Sequence, residues 1–435
     1  EKQTMFISKA LPLVHRQVST FGRTSPHIMA QFQNRSSVQQ RILKAASSSK
    51  SANELYANAP SPLQEFSVVY TDRALNHMSE PFKKVMNDIS STLKDVYGAN
   101  SVAVIPGSGT YGMEATARQF APGKKSIILR NGFFSFRWSQ IFETCNIDSE
   151  QIVLKAQPIN PNVPSSQLQF QPCPIDEVVS TILKEKPGVV FAPHVETSTG
   201  IILPDDYIKQ VADAVHSVGG LFVLDCIASG TVWVDMKKTG VDVVISAPQK
   251  GWSGQSSAGL VMLSEAATAV AKTTQSDSFV CDLRKWVEVM EAYEEGGFTY
   301  YTTMPTDALM HFRDAMLETK DFGFQRSTDH AWELGKLVHQ MMCQDMGLVR
   351  IAAPGFEAPG VVVVHHDDGA VAAKFIANGV QIAAGVPFKI GEPDLKTFRI
   401  GLFGLDKLEN PTKTAGVLKK SLDIVVPGSE NIQEL

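Results

Sequence analysis

Apolar and polar positions fall into a repeating order from about residue 83. Short apolar runs alternate with stretches of helical period. Ser101-Val-Ala-Val-Ile105 reads as a buried strand, and Pro106-Gly-Ser-Gly109 then leads into a helix over Thr110–Phe120. Lys125–Leu129 and Gly188–Ala192 are further strands. Asp205–Ser217 places Ile208, Val211, Ala212 and Val215 at helical spacing, and Gly219-Gly220 stops it. Leu221-Phe-Val-Leu-Asp225 is a strand that closes on an acid. Val241–Ser246 and Leu260–Leu263 follow as strands. A long helical stretch over 304–345 leads into a smaller unit. That unit holds a strand at Gly360–Val364, a helix near 369–378, a strand at Phe398–Gly401 and a helix near 411–424. Strands and helices alternating at this spacing predict an α/β fold with a mainly parallel sheet flanked by helices. Ligands of such sheets bind at the carboxyl ends of the strands.

Composition narrows the class. The chain has 435 residues, 43% of them apolar and 20% charged, as in an ordinary globular protein. No apolar run approaches the length of a membrane span. The net charge of −5 argues against a nucleic-acid binder. The five cysteines (145, 173, 226, 281 and 343) show no CxxC spacing, which points to a reducing compartment without a zinc ribbon. His365 and His366, adjacent on a strand, face opposite sides and make no metal pair.

The charge is uneven. Between Gln3 and Asn53 there are seven Lys and Arg and no acid, so residues 54–435 carry −12. Residues 1–50 are basic and serine-rich, the composition of a transit peptide, and predict mitochondrial import. Without import the protein would be cytoplasmic or peroxisomal. Residues 51–82 read as an N-terminal arm.

Three features carry chemistry. Lys250 lies just past the strand Val241–Ser246, within Ser246-Ala-Pro-Gln-Lys-Gly251. A lysine desolvated at a strand end is the nucleophile that Schiff-base chemistry needs. Asp225 ends a buried strand in the same region, either as a partner for a heterocyclic nitrogen or as a helix cap. Gly107-Ser108-Gly109-Thr110, between a strand and a helix, forms an anion cradle. It matches neither a dinucleotide fingerprint nor a Walker loop, because neither the later acid nor the Gly-Lys-Ser/Thr follows.

In chain order these pieces resemble the class V aminotransferases. These are fold-type I pyridoxal phosphate enzymes, and the likeness is to their serine–pyruvate and alanine–glyoxylate group. The resemblance runs from about residue 70 to 425. It rests on Pro106–Ala115, Asn131-Gly-Phe-Phe134, His194-Val-Glu-Thr-Ser-Thr-Gly200, Val223–Ser229, Ser246–Gly251, Tyr300-Tyr-Thr-Thr-Met-Pro305 and Arg399-Ile-Gly-Leu-Phe-Gly404. It implies a large cofactor-binding domain at 83–318 and a small C-terminal domain at 319–435.

The resemblance also implies roles. Lys250 would form the Schiff base and move the substrate proton. Asp225 would hold the pyridine nitrogen. Phe134 would stack on the ring, with Ile227 under its other face and Thr197 near the phenolic oxygen. Ser108, Gly109, Thr110 and Gln249 would bind the phosphate. Tyr300 and Thr303 would reach the phosphate of a second subunit, which implies a homodimer with shared sites. Arg399 would grip the substrate carboxylate. His77, in Asn76-His-Met-Ser79, either touches substrate or is structural.

The implied reaction moves the amino group of alanine or serine to glyoxylate or pyruvate. The alternatives on the same fold are a lyase resembling a cysteine desulfurase, an aminoethylphosphonate–pyruvate transaminase, and a non-catalytic scaffold. A desulfurase needs a mobile nucleophilic cysteine. The phosphonate enzyme needs extra cations.

Overall fold

The computed structural model describes residues 53–426, so the leader expected over 1–50 lies outside the described residues. The chain divides into a first unit, Glu1–Phe66, and a second, Ser67–Leu435. The described part of the first unit consists of turns. Asn53 Oδ1 accepts hydrogen bonds there from the amides of Leu55 and Tyr56 at 3.0 and 2.8 Å.

The second unit opens with α1, Glu80–Tyr97, which the sequence reading did not delimit. Its ends are locally encoded. Ser79 accepts from the Phe82 amide, and Gly98 ends the helix in the left-handed conformation at φ 68°. Its apolar stripe, including Phe82, Val85, Met86, Ile89 and Leu93, is buried.

The seven strands of the main sheet follow. They are β1 (Ser101–Pro106), β2 (Ser126–Arg130), β3 (Gln151–Lys155), β4 (Val189–Pro193), β5 (Leu221–Asp225), β6 (Val243–Ser246) and β7 (Ala258–Leu263). Their order across the sheet is β3-β2-β4-β5-β6-β7-β1. Pairing is parallel from β3 to β6, and β7 runs antiparallel to both neighbours. β2, β4, β5 and β6 are buried along their whole length, as parallel strands covered on both faces must be. In register, Asp225 lies beside Pro193 on one side and Ile245 on the other. Three parallel strands therefore end together around that acid.

The crossovers include α2 (Gly109–Phe120), α3 (Phe133–Thr144), α4 (Ile175–Glu185) and α5 (Asp205–Ser217). The span and buried face of α5 agree with the sequence reading. The long stretch over 304–345 is two helices rather than one. Helix α6 (Thr306–Phe322) and α7 (Phe324–His339) break at Gly323, whose φ of 101° only glycine adopts readily. A π-helical turn, Gln340–Asp345, ends the stretch.

A second, antiparallel sheet joins β8 (Val361–His365), β9 (Ala383–Ala384) and β10 (Thr397–Gly401) in the order β8-β10-β9. Leu334 and Val338 of α7 pack over it with Leu418, Leu422 and Val425 of α8 (Pro411–Val425), forming a core of their own. No helix among the described residues is long and apolar enough to cross a membrane.

Candidate active site

The site forms where β4, β5 and β6 end. Asp225 is 8% exposed, and its carboxylate accepts one hydrogen bond among the described residues, from the Ile227 amide at 2.9 Å. Burial pushes its carboxyl up to about 7, and the Glu196 charge adds to this. The charges of Arg137 and Lys250 pull the other way. Among the described residues no cation lies at bonding distance from this acid, and a protonated ring nitrogen would supply one.

Lys250 follows β6 through a turn that packs close to the loop after β5. A Cβ added at Gly251 would collide with the Gly230 carbonyl. The Lys250 amine is held below its ordinary pKa by burial first and by the Arg399 charge second, with Asp225 opposing. Its Nζ sits 5.1 Å from the Phe403 ring centroid. An amine depressed in this way is more nucleophilic near neutral pH.

The Gly107–Thr110 turn seats the start of α2 against β7 and the β5 loop. A Cβ at Gly109 would lie 2.5 Å from Ile227 Cδ1, and one at Gly259 would lie 2.7 Å from the Ser108 carbonyl oxygen. Only glycines allow this approach. Ser108 occupies the N-cap position of α2, and its side chain makes no capping hydrogen bond. The first residue of α2, Gly109, thus lies directly against Ile227. Gln249 is exposed on the Lys250 turn.

Phe134 stands on the first turn of α3, which begins at Phe133. The aromatic run 131–138 is therefore mostly helix. Two guanidinium groups flank the Phe134 ring, Arg137 at 5.5 Å and Arg399 at 5.7 Å from its centroid. Arg137 Nη1 donates to Thr110 Oγ1 at 3.0 Å, linking the ring to the anion cradle. Arg399, on β10, donates from Nε to the Ala384 carbonyl at 2.9 Å. Thr197 is buried in the turn of the short hairpin Val195–Glu196/Ile201–Ile202.

The structure thus gathers Gly109, Thr110, Phe134, Asp225, Ile227, Lys250 and Arg399 into one site. His77, Tyr300 and Thr303 form a separate group. The buried His77 ring lies 5.5 Å from the Tyr300 ring, and Tyr300 and Thr303 share a 3.0 Å hydrogen bond between hydroxyls. The His77 carbonyl accepts from Tyr293 Oη at 3.0 Å. Tyr300 and Thr303 are exposed.

Sequence reading missed three members of the site. Arg137 is one. The second is Glu196, fully buried at the N-terminus of α3. Its Oε1 accepts from the amides of Phe134 and Ser198 and from Ser198 Oγ, and its Oε2 accepts from the Ser135 amide and Oγ, at 2.7–3.2 Å. The third is His194, whose Nδ1 meets Ser229 Oγ at 2.7 Å and whose amide donates to the Asp225 carbonyl. Burial holds this imidazole down at about 4. All three lie in or beside the blocks that carried the resemblance, but their partners are remote in sequence.

An anion cradle, an aromatic plate, a buried acid and a desolvated amine are the groups needed to hold a phosphorylated, protonated heteroaromatic aldehyde. The Aminotransferase class-V family model matches residues 42–386. Alanine–glyoxylate aminotransferase 1 of Saccharomyces cerevisiae is 23% identical over 371 residues, 81% of this chain and 91% of its own. The L-aspartate–glyoxylate aminotransferase of Paracoccus denitrificans is 24% identical over 254 residues, 58% of this chain and 61% of its own. The crystal structure of an alanine–glyoxylate aminotransferase from Nostoc shares the fold at a TM-score of 0.68. Its identity is 22%, over 81% of this chain and 89% of that one. With its site at the strand ends and a family match over most of its length, the chain belongs to the class-V aminotransferases.

Proposed function

We propose that the protein binds pyridoxal phosphate and moves the amino group of a small L-amino acid, alanine or serine, to glyoxylate or pyruvate. The observation that carries this reading is Lys250, a buried amine just past β6 that feels the charges of both Asp225, at the end of β5, and Arg399, on β10. Bound there, the cofactor supplies an electron sink for the substrate Cα.

The protein's own groups do the rest. Asp225 would hold the ring nitrogen and its proton. Phe134 and Ile227 would confine the ring, with Thr197 toward its phenolic oxygen. The α2 amides, Ser108, Thr110 and Gln249 would take the phosphate. Lys250 would hold the cofactor through its aldehyde with loss of water, and, once freed by the substrate amine, would move the substrate Cα proton. Arg399 orients amino acid and oxo acid alike through the carboxylate they share. The alanine–glyoxylate relatives support this substrate class.

We also propose a homodimer in which Tyr300 and Thr303 complete the partner's phosphate site, with His77 beside them facing substrate. A cysteine desulfurase is disfavoured by the thiols. All five cysteines are free, and burial holds each above its ordinary pKa, with Cys173 pushed up to about 12. None is the ready thiolate that such chemistry needs.

Absorption spectra of the protein with pyridoxal phosphate, before and after L-alanine, L-serine or L-cysteine and without acceptor, test the reading. A yellow band that alanine or serine bleaches supports it. Sulfide release from cysteine would favour the lyase. No yellow band would sink the cofactor assignment.

A further inference from the structure

Glu196 has no part in the chemistry above, yet it is the most heavily bonded acid near the site. A wholly buried carboxylate is costly unless a cation or several donors compensate it. Here amide and hydroxyl donors do so, from the start of α3 and from the Ser198 turn. Ser198 Oγ also accepts from the Phe133 amide at 2.9 Å, so the clamp holds successive residues of the first turn. The helix N-terminus adds a favourable field for the negative charge. Gly132 lets the two segments meet this closely. A Cβ there would collide with Ser198 Oγ and approach Glu196 Cγ to 2.7 Å.

The clamp acts on a residue that bridges two parts of the site. Phe134 contributes one of the clamped amides. Its ring is in contact range of both Arg137, tied to Thr110 in the anion cradle, and Arg399, tied to Ala384. Moving the first turn of α3 moves the ring against both cations. The Glu196 charge also acts on Asp225 and Arg399.

We infer that Glu196 is a positioning residue: it pins Phe134 against Arg137 and Arg399 and so sets the spacing between the phosphate cradle and the substrate cation. The inference rests on the pyridoxal phosphate reading. Glutamine has the same shape, but its amide nitrogen would turn a donor toward backbone N–H groups.

The test titrates pyridoxal phosphate into wild type, E196Q, F134A and the double variant, followed by the absorbance band and by tryptophan fluorescence. Melting curves first establish that each chain is folded at the assay temperature. E196Q is expected to weaken cofactor binding about tenfold and to raise KM for L-alanine by a similar factor, with a smaller change in kcat. In the F134A background the same substitution is expected to add less than about twofold, because the two residues act as one unit. Equal effects in both backgrounds, or unchanged Kd and KM, overturn the inference.

If E196Q does not fold, Ser198→Ala decides. It keeps the carboxylate and removes the oxygen that links it to Phe133. It should weaken cofactor binding about threefold in wild type and not in F134A, and an unchanged Kd in wild type overturns the inference. A wild-type chain that binds no pyridoxal phosphate overturns both this inference and the cofactor reading. Wild-type binding with unaltered binding by a folded E196Q overturns only the inference.

Discussion

Lys250 and Asp225 share one physical circumstance. Each is an ionisable side chain that folding removes from water, and burial drives their pKa values toward one another from opposite ends of the scale. For the lysine this frees a nucleophile. Lys250→Ala should therefore leave the circular dichroism spectrum unchanged while the half-reaction with L-alanine slows by about 100- to 10,000-fold, the range of a lost acid–base group. For Asp225 the sign is opposite. Its carboxyl is raised to about 7 in the fold from an ordinary value of 3.8. Between those limits the folded state binds more protons than the unfolded one, so stability falls as pH rises through that window. Asp225→Asn removes this term. The melting temperature of the cofactor-free variant should exceed that of wild type by more at pH 8 than at pH 6. A difference that stays constant across that range would refute the raised carboxyl. Both residues were legible in the sequence, because each marks the end of an apolar strand. Arg137 and Glu196 were not, since their roles come from contacts with Thr110, Phe134 and Ser135 across long stretches of chain.

At the scale of elements, α3 shows where local reading stops. The run Asn131-Gly-Phe-Phe-Ser-Phe-Arg-Trp138 offers glycine and crowded aromatics and no local acid to cap a helix. The cap is Glu196, from the hairpin after β4, and it completes the helix only once both segments have folded. Gly132→Ala tests this dependence. The added methyl meets Ser198 and Glu196, so the variant should lose roughly 1–3 kcal/mol in chemical denaturation, the usual cost of overpacking. It should also weaken pyridoxal phosphate binding, because the displaced turn carries Phe134. A stability loss with intact cofactor affinity would separate the turn from the site. By contrast, α5 was readable directly, because it carries its apolar stripe within its own span and Gly219-Gly220 follow just after its end.

For the whole molecule, the question is how many chains make one site. Tyr300 and Thr303 lie exposed beside His77, apart from the group around Lys250. If two chains share their sites, Lys250→Ala and Tyr300→Ala chains, each weakly active alone, should complement when unfolded and refolded together. With random pairing, half the dimers are mixed and each mixed dimer holds one intact site, so about a quarter of wild-type activity should return. No gain over the separate variants would place Tyr300 outside the partner's site.

The sequence alone determined the α/β class, the alternation of buried strands and amphipathic helices, and the strand-end positions of Lys250 and Asp225. Those properties depend on periodicity and on short-range changes from apolar to polar residues, which lie within each element. Only the tertiary structure decided the strand order, the antiparallel entry of β7, the break at Gly323, and the meeting of Glu196, Phe134, Arg137 and Arg399. Those depend on which elements pack together, and a buried charge finds its compensating donors only across that packing.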